Sequence, residues 1–455
     1  MQHGRCPRLR RIWITECLAT TDQKNAVTVI SDSRRIDERG GLMQLACNGQ
    51  REIYYWNMDR VFQPWGDRYF QYLDPLAAIS CFQIRLRCSS RSMMGIQSMR
   101  IVSLQYLRGF AALLVVLSHN VFLLGEGWIK HIPGLLGVDI FFIISGFIMT
   151  FITYQTTERP ISFIVKRLFR IWPVFFIVWL LSYLFVYPEK ALHQMACTLY
   201  FCLLDYSLPA PSFGFSVLGP PWTLSYEIMF YLIFTISMSI SYRYRSYICA
   251  LVFVMSSVGF QLYYNDQFDF SSQSTPAIVV IHWWQAWIKL ISNTIAFEFI
   301  FGMMLAELTL ANTLPLLTPF GRKFMRLVLL LATISAGFIG PQAYGISGGF
   351  WLAATIMTAV IMLSYRSEAG SNRTLIFLGD ISYSLYLVHF SLMVFLTQLM
   401  SKNASPTEKS GVFILSITAS IVMASVMFKW IEKPSIKVGK KVASALSARL
   451  KPYTN

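Results

Sequence analysis

The chain has 455 residues, of which 55% are hydrophobic and 14% charged, with a mean hydropathy of +0.50. Soluble domains carry roughly 25% charge, so this composition, rich in Phe, Tyr and Trp, excludes a soluble enzyme or a disordered scaffold and describes a polytopic membrane protein. The formal net charge of +16 does not argue for nucleic acid, because basic residues of membrane proteins gather in loops that stay cytoplasmic.

Residues 1–98 differ from the rest. They hold 13 Arg and a single Lys (Lys24), with no apolar run of spanning length and no helical or strand period. They also lack the order of a signal peptide: a charged stretch, an apolar stretch, then small residues. Two expectations stand side by side: a disordered cytoplasmic extension, or a chain whose translation starts at Met94 or Met99. Of the eight cysteines, Cys197, Cys202 and Cys249 fall in apolar segments as small hydrophobes. Cys6, Cys17, Cys47, Cys81 and Cys88 have no metal-like spacing, so neither a disulfide framework nor a zinc site is expected.

From residue 101 onward, apolar stretches of spanning length recur. Spans are expected near 104–124, 136–154, 170–187, 222–241, 246–264, 294–311, 325–341, 348–365, 376–400 and 411–431. The run 191–204 is about 14 residues, or roughly 21 Å as helix, too short for a ~30 Å hydrocarbon core. The fold class is therefore an all-α polytopic membrane bundle of about ten helices. Its membrane domain covers 99–435, and a basic tail follows over 436–455.

Basic residues crowd 155–170 (Arg159, Lys166, Arg167, Arg170), 242–245 (Arg243, Arg245) and 322–326 (Arg322, Lys323, Arg326). They recur at Arg366, Arg373 and through the tail. Placing all of them in the cytoplasm satisfies parity only if 191–204 does not cross. Both termini then lie in the cytoplasm, with 188–221 and 265–293 outside.

Ionisable groups inside membrane helices are costly and mark function. In the first span Arg108 and His119 stand 11 residues apart, within about 20° of one face and roughly 16 Å apart along the axis. Taken singly, they read equally well as a snorkelling Arg and a satisfied core His. Asp139 and Glu227 fall near the outer ends of their spans, at the depth of His119, where a carboxylate beside an imidazole would fix its tautomer for general-base work. Asp139 could instead cap a helix. Ser382, Tyr386 and His389 share a face of the ninth span, Tyr386 reading as packing, and Glu298 is expected to be structural. Arg108, Lys166, Arg167 and Arg170 form a cationic mouth suited to phosphates, although ordinary positive-inside charge accounts for Lys166. Trp222, Trp283, Trp284 and Trp287 read as an outer aromatic belt.

These residues also carry a resemblance. Y-L-R-G-F-A-A-L-L-V-V-L-S-H (106–119), G-V-D-I-F-F-I-I-S-G-F (137–147), K-R-L-F-R-I-W-P (166–173), P-P-W-T-L-S-Y-E-I-M-F-Y (220–231) and S-Y-S-L-Y-L-V-H (382–389) resemble, in order, the signatures of the integral-membrane acyltransferase-3 family. S-L-Q-Y-L-R-G and E-F-I-F-G-M (298–303) are most similar to exopolysaccharide O-acetyltransferases of the succinoglycan type. Residues 1–98 match nothing in that family.

The resemblance implies a membrane O-acyltransferase of the bacterial cytoplasmic membrane. It would move an acyl group, acetyl, from cytoplasmic acyl-CoA to a hydroxyl of an exopolysaccharide or its lipid-linked precursor, with no metal. His119, Asp139 and Glu227 become the catalytic candidates, and Arg108, Arg167 and Arg170 the donor-binding ones. Ser145, Trp222, Tyr386 and His389 are further motif positions. His119 either deprotonates the sugar hydroxyl, oriented by Asp139 or Glu227, or first accepts the acyl group itself. The implied partners are acyl-CoA, a carbohydrate acceptor, the bilayer and polysaccharide-assembly proteins. Two alternatives remain: a transporter or flippase for a polysaccharide precursor, and an acyltransferase with another acceptor.

Overall fold

The computed structural model describes residues 28–30, 40–47, 50–57, 102–125, 132–155, 158–338, 340, 343–365 and 372–449. Met94, Met99, Cys6, Cys17, Cys81, Cys88 and Arg366 lie outside them. The chain divides into two units, Met1–Gln97 and Ser98–Asn455. In the first, β1 (Thr28–Ile30), β2 (Gly40–Cys47) and β3 (Gln50–Asn57) form an antiparallel sheet in that order. Cys47 pairs with Gln50 across the Asn48-Gly49 dipeptide, the strongest short hairpin signal a sequence offers. This pairing stands in a stretch where the sequence shows no strand period.

In the second unit the regular elements among the described residues are helices, joined by loops of which 200–221 and 266–282 are the longest described. Its helices are α1 (Val102–Leu124), α2 (Gly134–Gln155), α3 (Pro160–Phe185), α4 (Leu192–Leu199), α5 (Trp222–Ile240), α6 (Arg245–Asn265) and α7 (Trp283–Ile291). They continue as α8 (Ala296–Leu310), α9 (Pro319–Phe338), α10 (Phe350–Ser364), α11 (Arg373–Leu399) and α12 (Pro406–Met427). A π segment, Phe428–Glu432, then leads into α13 (Lys433–Arg449). Among the described residues seven helices are long and apolar enough to cross a membrane, or eight if the bent pair α7–α8, turned by 53°, counts as one span. α9 opens on Arg322, Lys323 and Arg326, and α10 is a shorter apolar helix of 15 residues. The eight-residue α4 is about 12 Å long and does not span.

Each expected span coincides with a helix, and the boundaries are set by local chemistry. Pro160 at the first position starts α3 ten residues earlier than the apolar pattern suggests. Lys166, Arg167 and Arg170 therefore stand on a helix, not in a loop. Asn372 caps α11 by accepting from the Thr374 and Leu375 N–H groups, and Ser405 caps α12 by accepting from Glu408.

Polar contacts sort the connections onto two faces. On one, Tyr242 reaches the Thr153 carbonyl, the hydroxyls of Ser103 and Ser364 lie 2.5 Å apart, Tyr365 donates to Asn312 (3.1 Å), and Asn372 N–H donates to Tyr106 (2.6 Å). On the other, Ser272 donates to Tyr344 O (2.7 Å), Gly345 N–H points at Asp139 (3.4 Å), and Ser225 donates to Phe201 O (2.6 Å). The basic loops share the first face, called inner below, and α4 lies at the second, called outer.

Candidate active site

A cleft opens between α1, α2, α3, α5 and α11. Arg108, Arg167 and Arg170 line it together with Ser145, Glu227, Tyr231 and Tyr383. Arg167 is buried, its guanidinium 5.1 Å from the Phe163 ring centre and 5.6 Å from that of Tyr231. Stacking on two aromatic faces holds it while leaving its in-plane donors free. Tyr231 in turn donates to Glu227. Arg108 Nη1 donates to Gln105 Oε1 (3.1 Å), and Gln105 Nε2 donates to Asp380 Oδ1 (3.1 Å). Glu432, buried and accepting from Ser384 (2.7 Å), faces Arg170 and Arg108 electrostatically. Among the described residues none of the three arginines closes a direct ion pair; the recorded pair is Lys166 with Glu158 (2.7 Å). Three guanidiniums with open donors in one apolar-walled cleft suit a multiply charged anion such as a phosphate ester.

The cleft ends at Val138, Phe141, Thr223, Leu224 and Tyr386. Phe141 meets the Tyr386 ring edge-on with centres 5.7 Å apart. The Tyr386 hydroxyl is pinned, donating to Pro220 O (3.0 Å) and touching Thr223 Oγ1 (2.9 Å). Beyond it stands the outer histidine pair. Tyr386 and His389 ring centres are 5.9 Å apart, and His389 Nε2 lies 3.4 Å from His119 Nδ1.

Hydrogen bonding assigns the tautomers. His389 Nδ1 faces Leu385 O at 3.2 Å and must donate to it, which leaves its Nε2 as an acceptor. His119 Nδ1 faces Val115 O at 2.9 Å and is likewise the protonated nitrogen, so its proton is shared between Val115 O and His389 Nε2. His119 Nε2 is left with a free lone pair on a half-buried ring, while His389 is fully buried behind it. Phe390 closes the other side edge-on at 5.4 Å. Gly219, at φ +75°, lies so close that a Cβ there would sit 2.7 Å from the Phe390 ring.

The structure thus brings together Arg108, Arg167, Arg170, Ser145 and Glu227 in the cleft, with Tyr386 at its end and His119 and His389 beyond it. It corrects the expected orientation of His119: neither carboxylate hydrogen-bonds it. Glu227 lines the cleft with the arginines and is held there by Tyr231. Asp139 turns instead towards α8, fully buried beside Glu298, with Gly345 N–H its recorded donor. Trp222 is buried edge-on to Tyr344 (5.2 Å), so it is no part of a belt; Trp283, Trp284 and Trp287 remain exposed. Gln105, Tyr231, Tyr383, Asp380 and Glu432 escaped the sequence reading, and for Glu432 the available signal was an acid inside the basic stretch 429–441. Among the described residues no group of three or more His, Cys, Asp or Glu could hold a metal ion.

A family model described as an acyltransferase domain, acyltransferase-3, matches residues 101–430. The chain belongs to this acyltransferase family. It is a multi-pass membrane member, and the match covers the helices that build both the cleft and the histidine pair. Among curated proteins it is 26% identical over 329 residues to "Exopolysaccharide production protein ExoZ" of Rhizobium meliloti (strain 1021), spanning 70% of this chain and 94% of that relative. It is also 26% identical over 378 residues to "O-acetyltransferase OatA" of Staphylococcus aureus (strain NCTC 8325 / PS 47). That match spans 75% of this chain but only 58% of the relative. No solved structure matches it.

Proposed function

We propose that this acyltransferase moves an acetyl group from cytoplasmic acetyl-CoA to a hydroxyl of an exopolysaccharide or its lipid-linked precursor. The observation that carries this is the order of groups from the inner towards the outer face: three arginines that close no ion pair among the described residues, a blunt apolar end, then a histidine with its Nε2 lone pair free. Arg108, Arg167 and Arg170 would hold the phosphates of the donor. The thioester would point towards Tyr386. Phe141 and Tyr386 leave little depth there, which favours acetyl over a long acyl chain. His119 Nε2 would take the proton of the acceptor hydroxyl as it attacks the thioester carbonyl and would return a proton to the leaving thiolate. His389 acts through His119 by accepting its Nδ1 proton, which makes it a positioning residue. The polysaccharide acceptor rests on the name of the Rhizobium meliloti relative, an exopolysaccharide production protein.

The test is NMR of surface polymer from cells with and without the gene, beside CoA release from acetyl-CoA by the purified chain in lipid. Loss of one acetyl signal and its restoration by the wild type, but not by His119→Ala, is the expected result. Normal acetylation of the polymer in His119→Ala cells would overturn it.

A further inference from the structure

At the outer face, α4 ends in a turn that brings two thiols together. Phe201 takes the left-handed conformation (φ +59°), its N–H donates to Thr198 O (3.0 Å), and the N–H of Cys202 donates to Cys197 O (3.2 Å). This is the paired 5→2 and 6→1 bonding of a Schellman motif, with Cys197 at the third position from the helix end and Cys202 two residues past the cap. Those are the two positions whose side chains habitually meet across such a turn. Here the Cys197 and Cys202 thiols are neighbours that influence each other electrostatically, and both residues are half-exposed. The turn is anchored on both sides: Phe201 stacks on Phe175 of α3 with ring centres 5.0 Å apart, and its carbonyl accepts from Ser225 of α5.

We propose that Cys197 and Cys202 are a dithiol that closes to an intramolecular disulfide by exchange with a protein disulfide outside the cytoplasm. The turn lies on the face opposite the basic loops, and positive loops stay cytoplasmic, which puts this pair in the compartment where disulfides persist. The neighbouring Cys197 thiol pulls the Cys202 thiol down to about 7, and its own is pushed up, so Cys202 supplies the attacking thiolate. Cys202 sulfur attacks the partner's disulfide, forming a mixed disulfide and releasing one partner thiolate. Cys197 then loses its proton and attacks Cys202 sulfur, releasing the second partner thiolate. Two protons and two electrons leave the chain, and the partner's disulfide becomes a dithiol. The cross-link would fasten the left-handed turn whose Phe201 docks against α5, two residues from Thr223 at the end of the cleft.

The test is differential alkylation of the full-length protein in intact cells quenched with acid. Free thiols are capped with N-ethylmaleimide, the sample is reduced, and released thiols are capped with iodoacetamide before mass spectrometry of the peptide holding both cysteines. The expected result is both cysteines carrying the second label together in unreduced samples and the first label after prior reduction, while Cys249, buried in α6, never carries the second. N-ethylmaleimide on both cysteines without reduction would overturn the proposal. So would second label on only one of them, the mark of a mixed disulfide. Neither outcome bears on acetyl transfer, which the polymer NMR reads separately.

Discussion

At the residue scale, the division between Arg108, Arg167 and Arg170 on one side of Tyr386 and His119 on the other makes separable claims. Removing the imidazole in His119→Ala should lower transfer by about 10²–10⁴-fold, the usual worth of a general base, with the protein still folded. His389→Gln should lower kcat and move the pH profile while leaving KM for acetyl-CoA unchanged, because His389 touches His119 and not the cleft. An unchanged pH profile would reduce His389 to a packing residue. Arg170→Ala should do the reverse, raising KM about tenfold or more for the loss of a charge-assisted contact to phosphate, with kcat little changed. Phe141 makes the sharpest claim, since it closes the cleft edge-on against Tyr386. Phe141→Ala should let propionyl-CoA and butyryl-CoA compete with acetyl-CoA in a CoA-release assay, and a donor profile identical to wild type would refute the blunt-end reading.

At the element scale, α2 and α8 approach each other closely through two glycines. A Cβ on Gly146 would lie 2.1 Å from Phe299 O, and one on Gly302 would lie 2.0 Å from Ile143 O. The two glycines are reciprocal, each clearing the other helix's backbone, as small residues do where membrane helices associate. Gly302→Ala should therefore cost about 1–3 kcal/mol or more, read as a lower unfolding temperature in detergent. A wild-type melting curve would mean the helices part freely. This close approach also explains why Asp139 and Glu298 face each other, one on each helix of the pair. The sequence placed every long helix because hydropathy is a local signal, and it placed Arg108, Arg167 and Arg170 by charge. It could not show that Asp139 turns to α8 while His389 turns to His119, since which face of a helix meets which neighbour is settled by contacts between residues 139 and 298, or 119 and 389. The start of α3 escapes hydropathy for a different reason: Pro160 opens a helix whose first turns are basic enough to look like a loop.

At the scale of the whole membrane unit, the two faces fix how the chain weaves even where length and hydropathy are indecisive. α9 carries three basic residues and α10 has only 15 residues, yet Tyr344 and Gly345, which lie between them, contact Ser272 and Asp139 at the outer face. Asn312 and Tyr365, at their other ends, meet each other at the inner face. α9 and α10 therefore run from one face to the other as a pair, and the passes made by α1, α2, α3, α5, α6, α7–α8, α9, α10, α11 and α12 return the chain to the face on which α1 begins. Were either helix alone to lie flat, α11 would run the wrong way and His389 could not meet His119. With the basic loops held in the cytoplasm, a membrane-impermeant maleimide applied to intact cells should label Gln273→Cys, in the exposed segment between α6 and α7, and should spare Thr313→Cys until the membrane is permeabilised. Labelling read on the substituted peptide decides it. Equal modification of both positions in intact cells would reverse or dissolve the assigned sidedness, and with it the route by which a cytoplasmic donor reaches the three arginines.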